Sequence, residues 1–185
     1  TPRRWDATAG ELDIDFVLHA GEAPGSNWAR DARPGDTVVL AGPGGPYKVD
    51  AAASWFVIGG DHAALPAVAT ILEALPASVP ATVYLEVPDA EDEVALPKRT
   101  DTQVTWLHGG HDPERSGRAL EAALRDATLP EGDGRIFVAC EATVMRDIRR
   151  HLLYERGIDR EKLHTHGYWK LGASNHPDHD LGDDV

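Results

Sequence analysis

Trp55-Phe56-Val57-Ile58-Gly59-Gly60-Asp61-His62-Ala63-Ala64-Leu65-Pro66 is the stretch that decides how this chain folds. Four apolar residues run without alternation, as in a strand covered on both faces. The run stops at two glycines and an acid. A helical segment follows over residues 63–75, with Leu65, Val68, Ala69, Leu72 and Leu75 at helix spacing. A buried strand leading straight into a helix is the opening of a βαβ unit. Outward from it the alternation repeats. Strands are expected over 82–87, 104–107, 135–140 and 164–170, and helices over 116–127 and 141–156, with Gly157 as a natural helix stop. The fold class is therefore α/β, with a five-stranded parallel sheet between residues 54 and 170 covered on both faces. The long connection over 88–102 carries Asp89, Glu91, Asp92 and Glu93 and reads as a solvated loop.

Upstream the rhythm differs. Residues 13–19 alternate, with Ile14, Phe16 and Leu18 on one face, and are expected to form a strand. Residues 23–32 read as a turn into a short helix with Ser26 as its N-cap. Pro34-Gly35-Asp36 is turn chemistry, 37–42 is a further strand, and Pro43-Gly44-Gly45-Pro46 breaks regular structure. The chain thus divides into residues 1–50, a nucleotide-binding type of domain over 51–172, and a polar, acidic tail over 173–185 that is expected to be flexible.

Composition removes several classes of function. The 185 residues hold 18 Lys+Arg against 31 Asp+Glu, a formal net charge of −13. That excess argues against a nucleic-acid binder. No stretch approaches the roughly 20 apolar residues of a membrane helix. The lone cysteine, Cys140, excludes an internal disulfide, a cysteine-ligated iron–sulfur cluster and a CxxC zinc site. No signal or transit segment follows Thr1, so a cytoplasmic location is expected, in a chain read as processed or cut from a longer one.

Candidate chemistry gathers where strands hand over to helices. Gly59, Gly60 and Asp61 stand at such a point, where backbone can approach a ligand and free helix N–H groups attract phosphate. The pattern is not GxGxxG, and a plain tight turn explains it equally well. Glu86 ends the next strand, where an acid can hold a ribose or simply meet water. Lys98 and Arg99 could meet a 2′-phosphate. Cys140-Glu141 ends the fourth strand; its thiol is an activated thiolate or, more commonly, a small buried apolar group. The pairs His164/His166, His108/His111 and His176/His179 are too small and too scattered for a metal site. Tyr168-Trp169 closes the last strand beside Lys170, as a packing pair or as a ring near a flat cofactor.

Six motifs, in order, resemble siderophore-interacting proteins. They are Asp13-Ile14-Asp15-Phe16-Val17-Leu18-His19, Pro24-Gly25-Ser26-Asn27-Trp28-Ala29, Gly35-Asp36 with Gly42-Pro43-Gly44-Gly45, Gly60-Asp61-His62-Ala63-Ala64-Leu65-Pro66-Ala67, Ala139-Cys140-Glu141, and Gly167-Tyr168-Trp169-Lys170-Leu171-Gly172. That family is a branch of the ferredoxin–NADP reductase superfamily. The resemblance implies a β-barrel that binds FAD, here represented by its last strands in residues 1–50, and an α/β domain that binds NAD(P)H. It implies reduction of a ferric siderophore, with the siderophore as partner and FAD and NAD(P)H as cofactors. It places Thr1, Val17, Leu18, His19, Ser26 and Trp28 on the flavin side. It places Gly59, Gly60, Asp61, Ala64, Leu65, Cys140 and Glu141 around the nicotinamide, Trp169 near the flavin or the siderophore, and Lys170 on the substrate. Thr1 matches the last residue of the family's Arg-x-Tyr-Ser/Thr flavin signature, so weak FAD binding is expected of these 185 residues alone. Ala23-Pro24-Gly25-Ser26 replaces the common Gly-Pro-Ala-Ser. His62 stands where an acid is common, and Cys140 where glycine is.

Two other functions fit the residues without the resemblance. One is a non-catalytic α/β module that binds a nucleotide or a protein partner. The other is a methyltransferase-like sheet using Glu86 on a ribose.

Overall fold

The computed structural model describes residues 1–18, 24–40, 47–174, 176 and 180–181. They form two compact units, Thr1–Val49 and Asp50–Val185.

In the second unit, β3 (Trp55–Asp61) is buried at all seven positions. The sequence places its apolar run in the middle of the sheet, where both faces need cover. β4 (Ala81–Val87) lies on one side and β6 (Gly134–Glu141) on the other, with β5 (Thr102–His108) and β7 (Leu163–Trp169) at the edges. The order β5-β4-β3-β6-β7 is parallel throughout. The expected five-stranded sheet is present.

Strand alternation then assigns the helices. Trp55 and Val57 of β3, with Ile136, Val138 and Cys140 of β6, form one core with Leu120 and Leu124 of α3 (Arg118–Asp126) and Val144, Met145 and Ile148 of α4 (Ala142–Arg150). The alternate residues Phe56, Ile58 and Phe137 serve the other face, on which α2 (Leu65–Ala74) buries Val68, Ile71 and Leu72. Each of these large, fully buried side chains contributes about 1.5–3 kcal/mol. The helix expected over 63–75 begins as a 3-10 turn, His62–Ala64, before α2. The one expected over 141–156 is α4 followed by a wider π turn, His151–Glu155, and Gly157 ends it at φ 65°.

Arginines close the helices at the sheet's amino-terminal edge. Arg99 donates to the carbonyls of Leu72 (3.2 Å), Leu75 (2.5 Å), Pro76 (2.7 Å) and Val79 (3.0 Å) below α2. Arg156 donates to those of Arg125 and Ala127 below α3. Arg99 is therefore a cap of the α2 terminus, on the edge away from ligands, and not a 2′-phosphate group.

The described residues near the end of the chain bond to β7 and α4. Gly167 N–H donates to the Asp180 carbonyl (2.7 Å), Thr165 Oγ1 to the Leu181 carbonyl (2.6 Å), and Arg146 and His176 meet the Asp180 carboxylate.

The first unit holds the antiparallel pair β1 (Pro2–Asp6) and β2 (Glu11–Ile14) and the helix α1 (Pro24–Asp31). The strand expected over 13–19 is shorter and starts earlier, as β2. The one expected over 37–42 is not a strand over its described residues, 37–40. Val39 is 92% and Leu40 61% exposed, and among the described residues no strand pairs with this segment. Ser26 is buried inside α1 and is not its N-cap. The 43–46 break lies outside the described residues.

Candidate functional site

The chain leaves β3 toward β4 and later returns to β6 on β3's other side, so a topological switch point lies between β3 and β6. In open α/β sheets a ligand crevice opens at the carboxyl ends of the strands at that point. The residues there are Gly59-Gly60-Asp61 and Ala139-Cys140-Glu141.

Asp61 is the hub. It is completely buried. Its Oδ1 accepts from the Ala63 N–H (2.9 Å); its Oδ2 accepts from the Glu141 N–H (2.9 Å) and from Trp169 Nε1 (2.7 Å). One carboxyl group thus joins the ends of β3, β6 and β7. Burial raises its pKa above the ordinary carboxylate value, although His62 and the three donors oppose that.

Two further buried carboxyls repeat the theme. Glu86, at the end of β4, accepts from Gly117 N–H (2.5 Å) and Leu120 N–H (2.8 Å) at the start of α3. Burial raises its pKa too. Neither the ribose role nor the solvated strand end describes it: it caps a helix. Glu141 accepts from Thr143 N–H (2.7 Å) and Val144 N–H (3.0 Å) at the start of α4, and from Leu171 N–H (3.2 Å). Asp61 and Glu141 thereby fasten residues 169 and 171 on either side of Lys170, which is exposed.

Around the hub, the glycines act in packing. A Cβ on Gly59 would lie 2.8 Å from the Leu124 side chain, and one on Gly60 2.8 Å from the Ala64 Cβ. They let α3 and the 3-10 turn close on the sheet. Ala64, against Gly60, is fully buried and Leu65 half-buried. Cys140 faces the α3/α4 core, and burial pushes its thiol well up. That overturns the activated thiolate. Trp169 is half-buried, 6.1 Å from the His62 ring.

The α2 side of β7 carries a line of rings. His164 stacks on Phe137 at 5.4 Å, and His166 meets Tyr168 edge-on at 4.6 Å. Among the described residues no group of three or more His, Cys, Asp or Glu could hold a metal ion.

The flavin-side candidates lie in the first unit. The Thr1 nitrogen donates to the Asp15 carbonyl (2.7 Å). Trp28, 41% exposed, lies 5.5 Å from Phe16; Leu18 is exposed and Val17 half-buried. His19 lies outside the described residues. So the fold unites Gly60, Asp61, Glu141 and Trp169, and separately Phe16 and Trp28. The sequence reading missed the capping role of Glu86, signalled by Gly117 opening a helix, and the link from Asp61 to Trp169.

A parallel sheet with this order and switch point, preceded by antiparallel strands, defines a ferredoxin-reductase-like α/β protein. Residues 53–172 match the siderophore-interacting protein model, and residues 1–47 the siderophore-interacting FAD-binding domain. The chain belongs to the siderophore-interacting protein family. It is 35% identical over 182 residues to ferric vibriobactin reductase ViuB of Vibrio cholerae, covering 97% of this chain and 66% of that protein. It is 26% identical to the ferric acinetobactin reductase of Acinetobacter baumannii, covering 95% of this chain and 61% of that one. A crystal structure of a siderophore utilization protein from T. fusca superposes with a TM-score of 0.81 at 36% identity, over 97% of this chain and 68% of that one. The chain thus spans about two thirds of the length of these relatives. Among the described residues no helix is long and apolar enough to cross a membrane.

Proposed function

We propose that this chain belongs to a flavin-dependent ferric-siderophore reductase that draws electrons from NAD(P)H. Residues 1–50 would be the end of the FAD-binding barrel and 51–172 the NAD(P)H- and siderophore-facing domain. The names of the reductase relatives support this reading, and one observation carries it. Asp61 holds Trp169 at the end of β7 and Glu141 holds Leu171 just beyond it, so Trp169 and Lys170 present a ring and a cation at the carboxyl edge of the sheet.

The residues of the first unit fit a flavin: Phe16 and Trp28 offer adjoining rings, and Leu18 an exposed apolar side chain. FAD, when bound, supplies the conversion of a hydride's electron pair into single electrons for Fe(III). The chain's residues bind and orient. Trp169 is held by its indole N–H and has one set position. Lys170 supplies a positive charge toward the oxygen donors of a ferric siderophore. One hydride reduces two Fe(III), and Fe(II) is released because hard oxygen donors hold it weakly.

The test uses the full chain with added FAD, NADH or NADPH and a ferric hydroxamate or catecholate complex, in the absence of oxygen. Fe(II) is followed with a colour-forming chelator. Fe(II) should form faster than with free FAD, and Trp169→Leu should lower that rate by about tenfold. Binding of FAD and nucleotide without Fe(II) formation would favour the non-catalytic module instead.

A further inference from the structure

Three donors converge on the two oxygens of Asp61. Two are backbone groups, the Ala63 N–H in the 3-10 turn and the Glu141 N–H at the end of β6. The third is the Trp169 indole N–H, which shares Oδ2 with Glu141. A carboxylate only accepts and has lone pairs for all three. A neutral carboxyl carries a proton of its own, which needs an acceptor. Among the described residues, every group bonded to Asp61 is a donor. A proton on Asp61 therefore buries an unmet O–H, which is costly, or sends one donor away. The backbone donors are fixed in a turn and in a strand ladder. The indole is a half-buried side chain at the end of β7, and it can turn to water without breaking the ladder.

The neighbouring groups offer no relief. His62 lies on the same turn, with its ring 6.1 Å from that of Trp169, and its charge opposes the proton. Glu86 at the end of β4 and Glu141 at the end of β6 are taken up by the starts of α3 and α4. Cys140 and Tyr168 feel the Asp61 charge, and Lys170 is exposed. Glu73 stands at the far end of α2. Burial raises the Asp61 pKa, so its proton arrives at a higher pH than at an ordinary carboxylate.

We infer that Asp61 positions Trp169 only as a carboxylate, and that a proton taken up at Asp61 releases the indole and lowers the rate of the reductase. This rests on the reading that Trp169 serves ferric-siderophore reduction. Asp61 is then a positioning residue, and its charge state regulates the site.

The experiment follows the indole N–H resonances of the full chain, labelled with nitrogen-15, from about pH 8 to about pH 5. The chain has five tryptophans, and the resonance missing from Trp169→Phe belongs to Trp169. It should be protected from solvent exchange at the upper pH and lose that protection as pH falls. The Fe(II) rate, divided by that with free FAD, should fall with the same midpoint. In His62→Gln the transition should persist at a higher pH. Asp61→Asn, whose amide cannot accept all three donors, should lower the rate about tenfold, and adding Trp169→Leu should lower it no further. An indole that stays protected while the rate falls, a transition lost in His62→Gln, or losses that multiply in the double variant would overturn the inference and leave the reductase reading standing. A released indole with no Fe(II) formed at any pH would support the clamp and overturn that reading.

Discussion

His164 shows how a single side chain's surroundings set its behaviour. Its ring lies nearly parallel to Phe137, and burial, helped by His166 and Arg149, lowers its pKa from the ordinary 6.5. The folded state then holds fewer protons than the unfolded state just below pH 6.5. Stability should therefore be flat above 6.5 and be lost as pH falls from 6.5 through the lowered folded value. Asp61 and Glu86 have raised values and the opposite sign, so their contribution cancels when wild type is compared with a variant. Urea denaturation across this range should show a shallower acid loss for His164→Phe than for wild type; identical slopes would remove the histidine from the account. The sequence marked His164 and His166 as neighbours on one face but gave no sign of Phe137, which sits on another strand. The Asp61–Trp169 bond, across 108 residues, was equally hidden. Both residues stand out as site candidates in the sequence, yet only the topology makes them partners.

The start of α3 carries the sharpest local constraint. Gly117 has φ 82°, donates to Glu86, and lies where a Cβ would stand 2.9 Å from a Val144 methyl. Gly117→Ala should therefore destabilise the chain by about 1–3 kcal/mol, through strain and through displacement of the Glu86 cap. The loss should appear as a lower urea midpoint with an unchanged slope, and no change would mean the cap tolerates a shift. The parallel strands were legible because a buried strand needs an unbroken apolar run and a helix needs its own period. The first unit was less legible. Ile14, Phe16 and Leu18 alternate as a strand should, yet the ladder ends at Ile14, because alternation names a face and a strand also needs a neighbour.

Across the chain, acid exceeds base by 13 charges. An anionic ligand such as FAD is repelled on approach, and salt screens that repulsion. The association rate of FAD, followed by stopped-flow fluorescence, should rise with ionic strength; a fall would show that local cations dominate its approach. Charge also has an order within the second unit. Carboxyls close the helices at one edge of the sheet, and arginines close two of them at the other. Each end of a helix dipole thus meets the sign that stabilises it. The family was legible because its motifs keep their order along nearly the whole chain. The chemistry of the edge was not, because whether an N–H is free depends on side chains from other strands.

The tail contact at Gly167 has a consequence of another kind. β7 is an edge strand, and an outward-facing N–H on such an edge is an invitation to a strand from another molecule. The Asp180 carbonyl accepts that N–H, and Arg146 and His176 hold the residue that supplies it. Asp180 and Leu181 thereby occupy part of the sheet's margin, where a strand from another molecule would otherwise pair.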